Sequence, residues 1–223
     1  MIKLYNIDHF SLEETFLCGQ CFRWSKDENG VFYGVVGNAV IKMYYHDEKT
    51  IYAESTNPDL VYWSKYLNFS CDYNEAEKFL CEDKNLIEPA KAGAGIRILR
   101  QELWETIVSF IISANNNIPR IKKIVESLCF NFGNKIEFAD KVYYTFPDAK
   151  TISKLTIEEL DVIKSGFRAK YILDAAKKVA EGVVDINLPY TMDTDSAREY
   201  LKQIHLLDKE NMYPEDLSGG QKQ

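Results

Sequence analysis

Ser113-Ala114-Asn115-Asn116-Asn117-Ile118-Pro119-Arg120 sits between two strongly patterned helices. Upstream, Leu103, Trp104, Ile107, Val108, Ile111 and Ile112 recur at helical spacing, so one wide face is apolar. Downstream, Ile121, Ile124, Val125 and Leu128 repeat at i, i+3, i+4 and i+7, and Pro119 suits a first helical turn. The junction therefore brings three amides and a guanidinium to a tight turn between two core-forming helices. Asparagine tolerates unusual backbone angles and carries donors and acceptors together. Such a turn serves either as a plain helix cap or as a polar wedge aimed at something with hydrogen-bonding edges, such as a nucleobase.

Working outward, residues 1–85 read as a β-rich domain. Phe10–Phe16 forms a strand or a helical turn, and Cys18–Trp24 a turn running into a strand. Residues 31–36, a Gly37-Asn38 turn and residues 39–44 read as a hairpin, and Thr50–Ala53 adds a strand. From Pro58 the pattern turns helical. Residues 86–205 read as all-helical, entered through Gly93–Arg100 as a linker. Thr156-Ile157-Glu158-Glu159 has the form of a capping box, and Thr194 offers a cap for a last helix. In the helix opened by Phe167-Arg168-Ala169-Lys170-Tyr171, the inward side is expected to be Tyr171, Ile172, Ala175, Ala176 and Val179.

The chain of 223 residues has 14 Tyr, 12 Phe and a hydrophobic fraction of 46%, which excludes a disordered chain. No long apolar run is free of charges, so no membrane span is expected, and the N-terminus lacks a signal-peptide pattern. Five cysteines without a disulfide-framework spacing read as reduced thiols in a cytoplasm. Cys18-x-x-Cys21 lacks the second ligand pair of a zinc site, so the thiols read as buried small hydrophobes, with no metal and no cofactor. A net charge of −7 argues against a uniformly basic, nucleic-acid-binding surface. Yet Arg97, Arg100, Arg120, Lys122, Lys123, Lys164, Arg168, Lys170, Lys177 and Lys178 gather in the middle, where a local field can still steer an anion.

Four blocks, in order, carry a resemblance. They are Gly19-Gln20-x-Phe22-Arg23-Trp24; Gly95-Ile96-Arg97-x-Leu99-Arg100-Gln101; Ser109-Phe110-Ile111-x-Ser113-x-Asn115-Asn116-Asn117-Ile118-x-Arg120-Ile121; and Gly166-Phe167-Arg168-Ala169-Lys170-Tyr171. Together they resemble the 8-oxoguanine DNA glycosylases of the helix-hairpin-helix superfamily over residues 1–205. The resemblance implies an α+β fold, with a small antiparallel β domain (TBP-like) packed on a helical domain. It implies a monomer acting on duplex DNA that contains oxidised guanine, in base excision repair by glycosylase and abasic-site lyase chemistry.

By position, the Gly19 carbonyl is expected to accept the N7–H that 8-oxoguanine has and guanine lacks. Asn115 is expected to fill the gap left by the flipped base, Arg120 and Arg168 to contact the orphaned cytosine, and Phe167 to act as a wedge. After His205 the family continues with a Gly-Val-Gly type hairpin, a nucleophilic lysine and an aspartate. The segment 206–223 shows none of these, so the helical domain reads as truncated before the hairpin, with no catalytic residue in hand. Instead Tyr213-Pro214-Glu215-Asp216-Leu217-Ser218-Gly219-Gly220-Gln221 resembles the signature of ATP-binding-cassette ATPases. Without a phosphate-binding loop no ATP binding is expected of it. Two alternatives are a damaged-DNA-binding fragment that does not cut, and a non-functional chimeric product with an exposed apolar patch at Tyr200, Leu201 and Ile204.

Overall fold

The computed structural model describes residues 2–5, 9–48 and 50–203. The chain divides into two compact units, one of residues 1–101 with 135–145, the other of residues 102–134 with 146–223.

The first unit is built on a five-stranded antiparallel sheet. Its strands are β1 (Ile2–Tyr5), β2 (Trp24–Lys26), β3 (Phe32–Val36), β4 (Ala39–Asp47) and β5 (Thr50–Ser55), in the order β1-β5-β4-β3-β2. The β3–β4 hairpin turns on Gly37 at a φ of 53°, the positive value that a two-residue hairpin turn puts first on glycine. Register sets Trp24 beside Gly34, Gly34 beside Ile41, and Phe32 beside Met43, so these residues share one face. That face is the core, completed by Leu12 and Phe16 of helix α1 (Leu12–Leu17) and by Trp63, Tyr66 and Leu67 at α2 (Leu60–Tyr66). Helices α3 (Tyr73–Leu80) and α4 (Ile87–Ala92) follow with no buried side chain.

Of the two readings offered for Phe10–Phe16 the helical one holds, and two other sequence expectations are corrected. Phe10–Phe16 resolves into a helix capped by Ser11, whose Oγ accepts from the Glu14 N–H at 3.2 Å. The all-helical reading of 86–205 misses a hairpin, β6 (Lys135–Phe138) and β7 (Lys141–Tyr144), which belongs to the first unit. Its turn residues Ala139 and Asp140 have φ values of 49° and 61°, so the chain reverses without the glycine that marks such a turn.

Nor is Gly93–Arg100 a simple linker. The Gly95 carbonyl accepts from the Ser11 N–H at 2.9 Å and from Thr15 Oγ1 at 3.0 Å, and the Arg100 N–H donates to the Tyr66 carbonyl at 2.9 Å. The segment is thus strapped along the first unit, and its break from the second falls after Gln101.

The second unit contains α5 (Leu103–Ser113), α6 (Ile118–Phe132), α7 (Ala149–Ile152), α8 (Ile157–Leu160), α9 (Ala169–Ala180) and α10 (Thr194–Gln203). Trp104, Ile107, Val108 and Ile112 of α5 are buried, as are Ile121, Ile124, Val125 and Leu128 of α6. From α9 come Ile172, Leu173 and Ala176. Tyr171, expected inward, is half exposed. The capping box of α8 is complete, with Thr156 Oγ1 accepting from the Glu159 N–H and Glu159 Oε2 from the Thr156 N–H. Asp193, not Thr194, caps α10, accepting from the N–H groups of Asp195 and Ser196 at 3.0 Å. Tyr200 is tied by its hydroxyl to the Asp185 backbone, while the Leu201 side chain, Ile204 and the 206–223 tail lie outside the described residues.

Asp148 caps α7, and hydrogen bonds from the Thr151 side chain and backbone hold its carboxyl below the ordinary aspartate value. A depressed folded-state pKa stabilises above the unfolded value, and that stabilisation is lost as pH falls through the folded one. Asp148→Ala is therefore expected to cost about 1 kcal/mol at neutral pH. Urea melts of both proteins should converge as the pH drops below about 4.

Candidate nucleic-acid interface

The asparagine turn divides its three amides between two tasks. Asn117 is the N-cap of α6, its Oδ1 accepting from the Arg120 N–H at 3.0 Å. The Asn116 Nδ2 donates to the Ile112 carbonyl at 3.0 Å, and its Oδ1 accepts from the Asn117 N–H at 3.1 Å. Both are spent on the turn. Asn115 stands in the left-handed region at φ 51°, is exposed, and makes no side-chain hydrogen bond to any described residue. Asparagine is among the few side chains that take this conformation readily. The fold thus leaves one amide, with its two donors and one acceptor atom, uncommitted at the apex.

Arg168 holds that apex in place. It is only 4% exposed, although it precedes a helix on the surface. Its Nε donates to the Ala114 carbonyl at 3.0 Å, Nη2 to the carbonyls of Ala114 and of Asn115, the latter at 3.0 Å, and Nη1 to Ser165 O at 3.2 Å. A guanidinium has five N–H groups, and most of them are spent here on backbone. Burial first, and then the positive charge of Arg120, push the Arg168 pKa down. Arginine nonetheless stays protonated in proteins, so the site keeps two cations of like sign close together.

Phe167 stands on this clamp. The Lys164 and Gly166 backbones both turn left-handed, at φ 54° and 62°, and set Phe167 outward at 57% exposure. The Arg168 guanidinium carbon lies 4.5 Å from the centre of its ring. Tyr171, one helical turn on, is 50% exposed and meets Phe167 edge to face at 6.4 Å, with the Lys170 ammonium 4.8 Å from its ring centre. Sequence periodicity put Tyr171 in the core and so missed a second exposed ring; the signal was its i, i+4 spacing from Phe167. Asn115, Arg120, Phe167 and Arg168 therefore come together in the second unit: an uncommitted amide, two exposed rings and cations.

Gly19 lies in the first unit, just past α1, at φ 94°, a value open to glycine. The Cys18 thiol donates to the Thr15 carbonyl at 3.6 Å and the Cys21 thiol to the Phe16 carbonyl at 3.5 Å. Cys21 is buried as expected, but Cys18 is exposed, because its Sγ reaches back to the last turn of α1 rather than into the core.

Arg97, counted from sequence among the steering cations, is 5% exposed and unavailable to a phosphate. Its guanidinium carbon lies 4.6 Å from the Tyr73 ring centre and 5.3 Å from that of Phe69, and Nη1 donates to the Asn68 carbonyl. Lys178 is paired with Asp174 at 2.9 Å. Among the described residues no helix is long and apolar enough to cross a membrane.

Two family models match in succession, meeting at residue 107, a few residues past the boundary between the units, and the second takes in the hairpin of residues 135–145. Residues 108–218 match the model of HhH-GPD superfamily base excision DNA repair proteins, and residues 2–107 that of the 8-oxoguanine DNA glycosylase N-terminal domain. The class of protein is thus a helix-hairpin-helix base excision repair protein. Two solved structures are similar over most of this chain. MBOgg1, in complex with low affinity DNA ligand, is 40% identical with a TM-score of 0.86, covering 92% of this chain and 71% of that one. The Clostridium acetobutylicum 8-oxoguanine glycosylase/lyase, in complex with dsDNA containing cytosine opposite to 8-oxoG, is 34% identical with a TM-score of 0.85, covering 90% and 69%. The N-glycosylase/DNA lyase of Saccharomyces cerevisiae is 46% identical over 112 residues, 49% of this chain and 28% of that protein. The chain spans less than half the length of these curated relatives, the N-glycosylase/DNA lyase OGG1 of Arabidopsis thaliana among them. It belongs to the 8-oxoguanine DNA glycosylase family.

Proposed function

We propose that these residues form the lesion-reading part of a base excision repair DNA glycosylase and abasic-site lyase that acts on 8-oxoguanine opposite cytosine in duplex DNA, in the cytoplasm. The observation that carries this reading is the Asn115 side-chain amide, uncommitted on a backbone turn that Arg168 clamps beside the exposed Phe167 ring. An amide offering donors and acceptor together can replace the hydrogen-bonding edge of a flipped base, and an exposed ring can enter the opened stack. Arg120 offers its N–H groups to the acceptors of the orphaned cytosine, while Arg168, buried and bonded to backbone carbonyls, supports the turn instead. Gly19 supplies its carbonyl to the N7–H of the lesion; unmodified guanine offers an acceptor there, and two acceptors repel.

The nucleophile of the family is a lysine amine that attacks the anomeric carbon and leaves a Schiff base. No lysine of this chain falls in the family's catalytic motif, and Lys164, Lys170 and Lys202 stand as stray amines. The polypeptide of residues 1–223 is therefore expected to hold damaged duplex without cutting it, and with a shallow salt dependence.

Single-turnover incision of a duplex with one 8-oxoguanine opposite cytosine, in the presence of borohydride, tests this. The expected result is lesion-selective binding with no trapped adduct. An adduct would show that one of the three lysines performs the chemistry, and single substitutions would identify it. Equal binding of damaged and undamaged duplex would overturn the recognition reading itself.

The resemblance of the tail from Leu206 to an ATPase signature assigns it no nucleotide. The superfamily match runs through residue 218 and so overlaps that tail. Sequencing the locus across the codons for His205 and Leu206 distinguishes a continuous glycosylase frame from a junction.

A further inference from the structure

The Gly19 carbonyl can distinguish an N–H from a lone pair only if its direction is fixed. A glycine at φ 94° has the widest backbone freedom of any residue, so the fixing has to come from its surroundings. The next residue provides it. Both N–H groups of the Gln20 side-chain amide find backbone carbonyls, Thr15 O at 2.8 Å and Arg97 O at 2.8 Å. Its Oε1 accepts from the Leu99 N–H at 3.0 Å. The backbone carbonyl of Gln20 in turn accepts from Gln101 Nε2 at 2.6 Å.

One side chain thus joins the last turn of α1 to the strap of residues 97–99, and a second glutamine holds the far end of the same residue. The strap is itself fixed to α1, since Thr15 Oγ1 accepts from the Arg97 N–H at 3.2 Å and donates to Gly95 O. Gly95 could not be another residue without moving it, because a Cβ there would lie 2.8 Å from Ser11 Cβ. The peptide that carries the Gly19 carbonyl is bounded on its far side by Gln20, and Gln20 is held by four hydrogen bonds.

We propose that Gln20 and Gln101 are positioning residues for lesion discrimination: they touch neither lesion nor DNA, and they set the direction of the Gly19 carbonyl. The inference rests on the reading of Gly19 given above. It makes the selectivity for oxidised over normal guanine a property of this amide network as much as of the carbonyl. Gln101 is the cleaner probe, because it makes a single side-chain bond to the turn and lies at the end of the strap. Gln101→Met removes the donor at similar volume and leaves the Gln20 carbonyl free to swing. Gln101→Lys keeps a donor on a stem of comparable length.

The experiment measures the affinity of the full chain for three duplexes, with 8-oxoguanine, guanine or an abasic site opposite cytosine, alongside thermal melts. The expected result for Gln101→Met is a fall in the 8-oxoguanine-to-guanine ratio of about tenfold, the factor for one net hydrogen bond. Abasic-site affinity should be unchanged, and Gln101→Lys should restore the ratio. A merely structural role would lower the melting midpoint and weaken all three duplexes together, leaving the ratio intact, and that result overturns the proposal. So does a Gln101→Met protein that keeps the wild-type ratio while wild type itself discriminates; the Gly19 reading then survives alone. A wild-type chain that binds 8-oxoguanine and guanine equally overturns the Gly19 reading and the proposal with it.

Discussion

Arg168→Met is expected to weaken duplex binding by more than about tenfold while leaving the salt dependence of that binding unchanged. The guanidinium is buried, and its hydrogen bonds go to the carbonyls of Ala114, Asn115 and Ser165. Removing it leaves buried acceptors without donors, a loss of about 1–3 kcal/mol. That loss falls on the Asn115 turn, whose left-handed backbone is held from below by these bonds. Once released, the amide no longer points one way, and binding falls because the apex is disordered in the free protein. A cation that neutralises phosphate behaves differently. Lys170 is exposed, and Lys170→Ala should lower affinity for damaged and undamaged duplex alike and reduce the salt slope by about one unit. Arg168→Lys keeps the charge without the fork, and should recover little of the loss. Titrations of each variant at three salt concentrations, below its melting point, separate the two behaviours. A reduced salt slope in Arg168→Met would assign that residue to the phosphates instead.

The same residue shows where a sequence is legible and where it is not. Arg168 is recognisable from the Gly166–Tyr171 block, but the block does not say whether its guanidinium faces nucleic acid or the protein's own backbone. Helical periodicity fixes α5, α6 and α9, because an apolar stripe has only one way to be buried. It misplaces Tyr171, since a Tyr at the correct spacing can belong to the stripe or stand beside it. The hairpin β6–β7 escapes because Ala139-Asp140 carries no turn signal, and because its strands are four residues each with no buried side chain, too short a pattern to stand against flanking helices.

Gly93–Arg100 reads as a linker because its two glycines suggest freedom. In the structure Gly95 is there for close approach to Ser11, and the freedom is spent. Local pattern cannot reveal a contact whose partner lies some eighty positions away in the chain, as Thr15 and Gln20 lie from this strap.

Gly34 presents the second large effect, and its logic is one of space alone. Its backbone is an ordinary strand, paired with Trp24 on one side and Ile41 on the other. A Cβ on Gly34 would lie 2.3 Å from Trp24 Cε2 and 2.4 Å from Cδ2, inside the ring's van der Waals surface. The indole cannot retreat cheaply. Its face stacks on Phe16 at 3.6 Å between ring centres with planes 3° apart, its Nε1 donates to the Tyr66 hydroxyl at 2.9 Å, and it is buried.

Gly34→Ala is thus expected to destabilise the first unit by about 3 kcal/mol, the upper end of core overpacking. In a unit of this size that lowers the melting midpoint by on the order of 10–20 °C. Gly30→Ala is the control of opposite kind: its φ of 78° is costly for alanine, but nothing lies within 4 Å of the new methyl. Its loss should stay near the 1–2 kcal/mol of a left-handed residue.

The two variants should differ in function as well as in stability. Phe16 closes α1 on one side of the Gly19 turn and Trp24 opens β2 on the other, so displacing their stack moves both ends of the recognition loop. Gly30 lies on the far side of β2, in the turn where Asp27 Oδ1 accepts from the N–H groups of Asn29 and Val31. Measured well below either melting point, Gly34→Ala should lose discrimination between 8-oxoguanine and guanine, and Gly30→Ala should keep it. Equal discrimination in both would mean that the loop is held by its amide network without help from the aromatic stack.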